Sequence, residues 1–186
     1  MRGLPGCGKS HRAKRLAGSQ GIVLETDEYF YTQVGTDKTR YDFDANLLPA
    51  AREWNFRRLS DAIMANISTI VLDRGNGLNA ETCRFAAYAI EHGYNVELAE
   101  PDSAWWQELR VLLKYKEHVT DELLDAWAQR LAENTRDTHR VAATTIRDWM
   151  RNWRHDLTVE QILNVREYVR TDELSSHRDV CNGPFA

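Results

Sequence analysis

Apolar positions along this chain follow two rhythms. Ile22-Val23-Leu24, after a Gly-Ser-Gln-Gly break, and Ile70-Val71-Leu72, after Ser68-Thr69, are short continuous runs. Such runs read as strands covered on both faces, as in a parallel sheet. Asn95-Val96-Glu97-Leu98 predicts a third strand. Elsewhere the period is helical. One helix is expected from His11 to Ala17. A second starts at Pro49, a residue suited to a first turn, and runs to about Asn66. A third is capped by Asn79 and runs to His92, stopping at Gly93. Beyond Pro101 the helical pattern continues almost to the end. Leu123, Leu124, Trp127 and Leu131 share a face, and Ile146, Trp149, Met150 and Trp153 recur at the spacing of one apolar stripe. Thr158-Val159-Glu160-Gln161 is a capping box for a last helix. Residues 31–47 are polar and turn-rich and predict a surface loop.

Strands alternating with helices predict an α/β fold with a parallel sheet and right-handed crossovers. Ligands of such sheets bind beyond the carboxyl ends of the strands. Asp27, just past the first strand, and Asp73, closing the second, are therefore expected to face one crevice. The 186 residues suit one domain, taken here as 1–170, with a helical lid region over about 102–157 and a loosely held tail at 171–186. A net charge of −4 excludes a global basic field that would attract nucleic acid or membranes. Cys7, Cys83 and Cys181 are odd in number and unpatterned, which argues against a disulfide framework. Their usage, and the lack of a signal peptide or apolar span in this sequence, point to a cytoplasmic protein without membrane contact. Oligomeric state is left open.

The chemistry is concentrated at the start. Gly3-Leu4-Pro5-Gly6-Cys7-Gly8-Lys9-Ser10 fits the phosphate-binding loop G-x-x-x-x-G-K-[ST] at every specified position. Gly3, Gly6 and Gly8 allow a tight turn whose N–H groups face an anion, at a helix start where the dipole adds to the attraction. Cys7 fills a variable loop position, and its place near a helix N-terminus would lower its pKa. Lys9 is expected to reach the β- and γ-phosphates of ATP, and Ser10 to hold Mg²⁺. Asp73 follows an apolar strand in the manner of a carboxylate that holds Mg²⁺ or its waters. Asp27 is the candidate base, and it serves equally as a helix cap. Such a loop hangs from a buried strand, and two residues ahead of Gly3 are too few for one. The sequence leaves open a start further upstream and a sheet lacking its middle strand.

Together with Glu25-Thr26-Asp27-Glu28-Tyr29-Phe30 and Thr69-Ile70-Val71-Leu72-Asp73-Arg74-Gly75-Asn76, this loop resembles the kinase domain of phage-type 5′-hydroxyl polynucleotide kinases and their P-loop relatives, over roughly residues 3–165. The resemblance implies a three-layer P-loop kinase fold that uses ATP and Mg²⁺. It implies that Asp27 takes the proton from the attacking 5′-hydroxyl of RNA or DNA. It also implies a lid at Arg136-Asp137-Thr138-His139-Arg140-Val141, with Arg136 clamping the transferring phosphate and Arg140 as a second contact. The sequence departs from the pattern at Phe30, where the relatives carry a phosphate-holding Arg, and at Arg140, where they carry Gly. Arg74 and Gly75 replace small polar residues, and the stretch near 107–132 is longer.

Three functions follow. The first is a 5′-hydroxyl polynucleotide kinase, with Arg52, Arg57 and Arg58, and Lys38 and Arg40, lining an acceptor groove or forming only a solvated face. Tyr29, Phe30 and Tyr31 would stack a terminal base or pack as core. The second is a kinase for a nucleoside or small hydroxylated metabolite. The third is a non-catalytic ATP-binding module, whose partner surface would draw on Trp105, Trp106, Trp127, Trp149 and Trp153; at helical spacing such residues are more often core.

Overall fold

The computed structural model describes residues 1–32, 41–73, 75, 79–138 and 140–164. Lys38, Arg40, Arg74, His139, Cys181 and the 171–186 tail lie outside them. Contacts divide the chain into two compact units, one of residues 1–76 with 99–155 and one of 77–98 with 156–186.

In the first unit, α1 (Lys9–Ala17) leads to β1 (Ile22–Leu24), then to the short α2 (Glu28–Thr32) and the long α3 (Leu48–Met64). Pro49 stands in the first turn of α3, where its missing N–H costs nothing. The chain returns as β2 (Ile70–Leu72), parallel to β1 and in register Ile22–Ile70, Val23–Val71 and Leu24–Leu72. Residues 1–3 lie against the far edge of β2. The Met1 nitrogen donates to the Leu72 carbonyl at 2.7 Å and the Gly3 N–H to the Gly75 carbonyl at 2.9 Å, while the Arg2 N–H turns the other way, to the Ala99 carbonyl at 2.8 Å. Residues 1–3 thus bond on both sides, although they form no strand and the sheet of the described residues has two strands, β1 and β2.

In the second unit, α4 (Ala80–Glu91) starts where the Asn79 side chain accepts the Thr82 N–H at 2.8 Å, as the cap signal predicts. Residues 94–100 form no strand, contrary to the expectation for Asn95–Leu98. Val96 and Leu98 instead place side chains against buried Ala86, Leu157 and Ile162.

The main core belongs to the first unit and is built from α5 (Ala104–Lys114), α6 (Asp121–Asn134) and α7 (Ala143–Arg151). Trp106, Trp127 and Trp153 are buried in it with Leu109, Leu131 and Ile146, and Leu4 and Cys7 of the N-terminal loop join the same cluster. The buried stripe is narrower than the sequence pattern suggests: Leu123 is 47% exposed and Trp149 44%. Arg147 occupies part of the α6–α7 seam. It is buried and bridges Asp121 and Asp125, the latter at 2.7 Å. The last helix, α8 (Val159–Leu163) of the second unit, opens with the full capping box between Thr158 and Gln161. Among the described residues no helix is long and apolar enough to cross a membrane.

Candidate functional site

The loop at residues 3–10 has the shape its sequence demands. Gly6 and Gly8 adopt φ of 70° and 90°, left-handed values that glycine reaches without strain, and Gly8 delivers the chain into α1. A side chain at Gly3 would press on the Cys7 sulfur and the Lys9 stem. At Gly6 it would run into the Leu131 carbonyl oxygen and lie 2.9 Å from Asn134 Cβ. Asn134 Nδ2 also donates to the Gly6 carbonyl at 3.1 Å, so the C-terminal turn of α6 braces the loop. Lys9 Nζ rests on the Leu4 carbonyl at 3.0 Å. The Cys7 N–H reaches the same carbonyl at 3.3 Å. The Cys7 thiol is fully buried, and burial raises it to about 11, so it serves as a small packed residue of the loop rather than a thiol activated by the helix start.

Ser10 and Asp73 meet: the Ser10 hydroxyl donates to Asp73 Oδ2 at 2.7 Å. Asp73 is buried, and its Oδ1 has no hydrogen-bond partner among the described residues. An orphaned buried carboxylate oxygen beside a hydroxyl is a hard-oxygen donor pair. Mg²⁺ suits such a pair, because it binds through one or two carboxylates while keeping waters and phosphate oxygens as its other ligands. These two residues therefore fit the cation that the sequence motif implies.

The Asp73 N–H donates to the Leu24 carbonyl at 3.0 Å, extending the ladder past both strands. This sets Asp73 beside Glu25, the first residue after β1. Burial raises the Glu25 carboxyl to about 7, and the neighbouring Asp73 and Glu28 charges push the same way. Thr26 is buried and its hydroxyl accepts from Asn55 Nδ2 of α3 at 3.1 Å, which fixes the turn presenting Asp27. The Asp27 carboxylate accepts a hydrogen bond from the Tyr41 hydroxyl.

Thr135 closes α6 with its N–H on the Ala132 carbonyl, and Arg136 follows at the surface. Arg140 is exposed, has φ of 49°, and donates from Nε to the Arg136 carbonyl at 3.1 Å. The two arginines thus share one tight turn, two residues beyond the Asn134 contact with the loop.

The profile of the AAA-domain family matches residues 1–134, from the phosphate loop to the helix that braces it. The chain belongs to the AAA-domain family. Human NEDD4-binding protein 2 is 38% identical over 109 residues, which are 58% of this chain and 6% of that protein's length. The chain thus spans a small fraction of that relative. No solved structure matches. The family assignment supports a nucleotide-binding, kinase-like domain on a short parallel sheet.

Several features of this AAA domain escape sequence reasoning. Arg2, one residue before the loop, is 2% exposed, with its guanidinium 4.0 Å from the centre of the Trp153 ring, 3.4 Å from Glu100, and on the Arg154 carbonyl. Burial lowers its pKa to about 10. Glu100 also accepts from Arg110 Nε at 2.8 Å. A lone Arg ahead of a glycine-rich loop gives no signal of this anchor. Phe30 is fully buried and takes the core role rather than the stacking one. Of the candidate groove arginines, Arg58 pairs with Glu28 and lies 4.5 Å over Trp54, whereas Arg57 is exposed.

Proposed function

We propose that this domain transfers the γ-phosphoryl group of ATP to a hydroxyl acceptor, the 5′ end of a polynucleotide, with Asp27 as general base. The observation that carries the reading is the Ser10–Asp73 contact at 2.7 Å beside an intact phosphate loop, with Asp27 at the neighbouring strand end. The loop N–H groups and Lys9 bind the phosphate tail. Ser10 and Asp73 would hold Mg²⁺ together with the nucleotide, and the cation would supply neutralisation of phosphate charge there. Asp27 accepts the acceptor's proton as its oxygen attacks the γ-phosphorus and the bond to the ADP oxygen breaks. Arg136, with Arg140 beside it, stabilises the transferring group. A terminal base would stack on half-buried Tyr31 and Tyr41, which lie near Asp27, and on the 52% exposed Phe43 beside Tyr41.

A second reading, a kinase for a neutral nucleoside or metabolite, is favoured by the carboxylates of Glu25, Asp27 and Glu28 and by the engaged Arg58, which offer a polyanion little attraction. Transfer of labelled γ-phosphate to a panel of 5′-hydroxyl oligonucleotides and nucleosides tests both. A polynucleotide acceptor loses affinity steeply as salt rises, and a neutral one does not. Asp27→Asn is expected to cut transfer to a slow residual rate while keeping ATP affinity. Full transfer in that variant removes Asp27 as base.

A further inference from the structure

Nothing in the sequence marks Tyr41, yet the fold places it closely. The Asp42 N–H donates to the Phe30 carbonyl at 3.2 Å, tying the segment after the polar loop back onto α2. The Tyr41 ring is then enclosed on three sides: Tyr31 at 5.0 Å between centroids, Phe30 edge-on at 5.9 Å, and Phe43 stacked at 6.1 Å with 17° between planes. Phe30, itself fully buried, makes the floor of this cage. A phenol held so firmly has little freedom about its ring, and its hydroxyl ends on Asp27.

We propose that Tyr41 is the positioning residue of Asp27, its hydroxyl occupying one carboxylate lone pair so that the remaining oxygen faces the acceptor. The proposal rests on the reading of Asp27 as general base. A carboxylate on a short turn rotates freely unless something holds it, and a base misplaced by an ångström loses most of its effect. Thr26, locked to Asn55, fixes the backbone of this turn. The Tyr41 hydroxyl holds the carboxylate, and its hydrogen bond strengthens when the acceptor side is charged. Tyr41 acts through Asp27 and does not itself take the proton: burial and the Asp27 charge push the phenol well above its ordinary range, so it stays a donor at working pH.

Tyr41→Phe keeps the caged ring and removes only the hydroxyl. In the transfer assay it is expected to lower kcat about 10-fold, within the range for losing one aligned hydrogen bond near the reacting atoms, with acceptor KM and ATP affinity unchanged. In an Asp27→Asn background the same substitution is expected to have no further effect, because its route to the chemistry is gone. If Asp27→Asn cuts transfer to that residual rate and Tyr41→Phe matches wild type, the positioning role is wrong and the base assignment stands. A Tyr41→Phe loss of the same size in both backgrounds, or one expressed in KM alone, also overturns the proposal, because a structural or substrate-binding role explains it. If Asp27→Asn transfers phosphate normally, both readings fall together.

Discussion

The contact between the phosphate loop and α6 can be weighed by comparing two glycines that differ in one respect. Gly6 and Gly8 both hold left-handed φ, at 70° and 90°, so an alanine at either pays the same class of backbone penalty, about 1–2 kcal/mol. Around Gly8 a new Cβ meets nothing within 4 Å. At Gly6 it collides with the Leu131 carbonyl, a backbone atom of α6 that cannot rotate away, and crowds Asn134. Forcing that helix outward adds the cost of an overpacked site, about 1–3 kcal/mol. Gly6→Ala is therefore expected to be less stable than Gly8→Ala by about 1–3 kcal/mol, or about 2–12 °C in melting temperature for a chain of this size. Urea unfolding followed by tryptophan fluorescence reads the difference, since Trp106, Trp127 and Trp153 are buried in the core that α6 helps to form. Equal losses in the two variants refute the bracing contact. A larger loss in Gly8→Ala would mean that the loop is held from the other side.

Lys9→Ala removes the cation that rests on the Leu4 carbonyl and is expected to cut turnover about 100-fold or more; unchanged ATP affinity and rate would rule out the loop as a phosphate site. Arg136→Ala is expected to lower kcat about 100-fold while leaving ATP affinity within a few-fold, as a group that acts mainly in the transition state does; an affinity change alone takes Arg136 out of the chemistry. Glu25, raised to about 7 from 4.5, sets a pH dependence in the nucleotide-free protein. A raised carboxyl leaves the fold at full stability below 4.5 and drains it as pH climbs to about 7, and solvent screening of this half-buried group limits the loss to about 1–2 kcal/mol. Glu25→Gln should therefore gain that amount over wild type at pH 8 and little near pH 5, by urea titration; the same difference at both pH values contradicts the assignment.

The parts of this molecule that were readable beforehand are those whose chemistry is local. The loop at residues 3–10, the Asn79 cap, Pro49 at the head of α3 and the Thr158 capping box each specify their geometry within a few residues, and each is found as expected. Asp73 reaching Ser10 follows from strand order, since β1 and β2 run parallel and end together. What was not readable depends on partners far along the chain. Asn95–Leu98 has strand composition but forms no strand, and its apolar side chains go to a helical core instead. Arg2 and Arg147 are charged residues in buried places, made tolerable by Glu100 and Trp153 in one case and by Asp121 and Asp125 in the other. No periodicity reveals such pairings. Tyr41 was hidden in the same way: a tyrosine in a polar loop says nothing until Phe30 and Asp27 are brought beside it.

The brace at Gly6 also limits how the arginine turn can travel. With the Leu131 carbonyl against the loop and Asn134 bonded to it, the end of α6 is clamped, so any swing of Arg136 and Arg140 must pivot beyond Thr135. Arg140, at φ of 49°, sits at the far end of that short arm. Loop and arm are thus geared through a single helix end, and a substitution that tilts α6 would shift the loop backbone and both guanidinium groups in one movement.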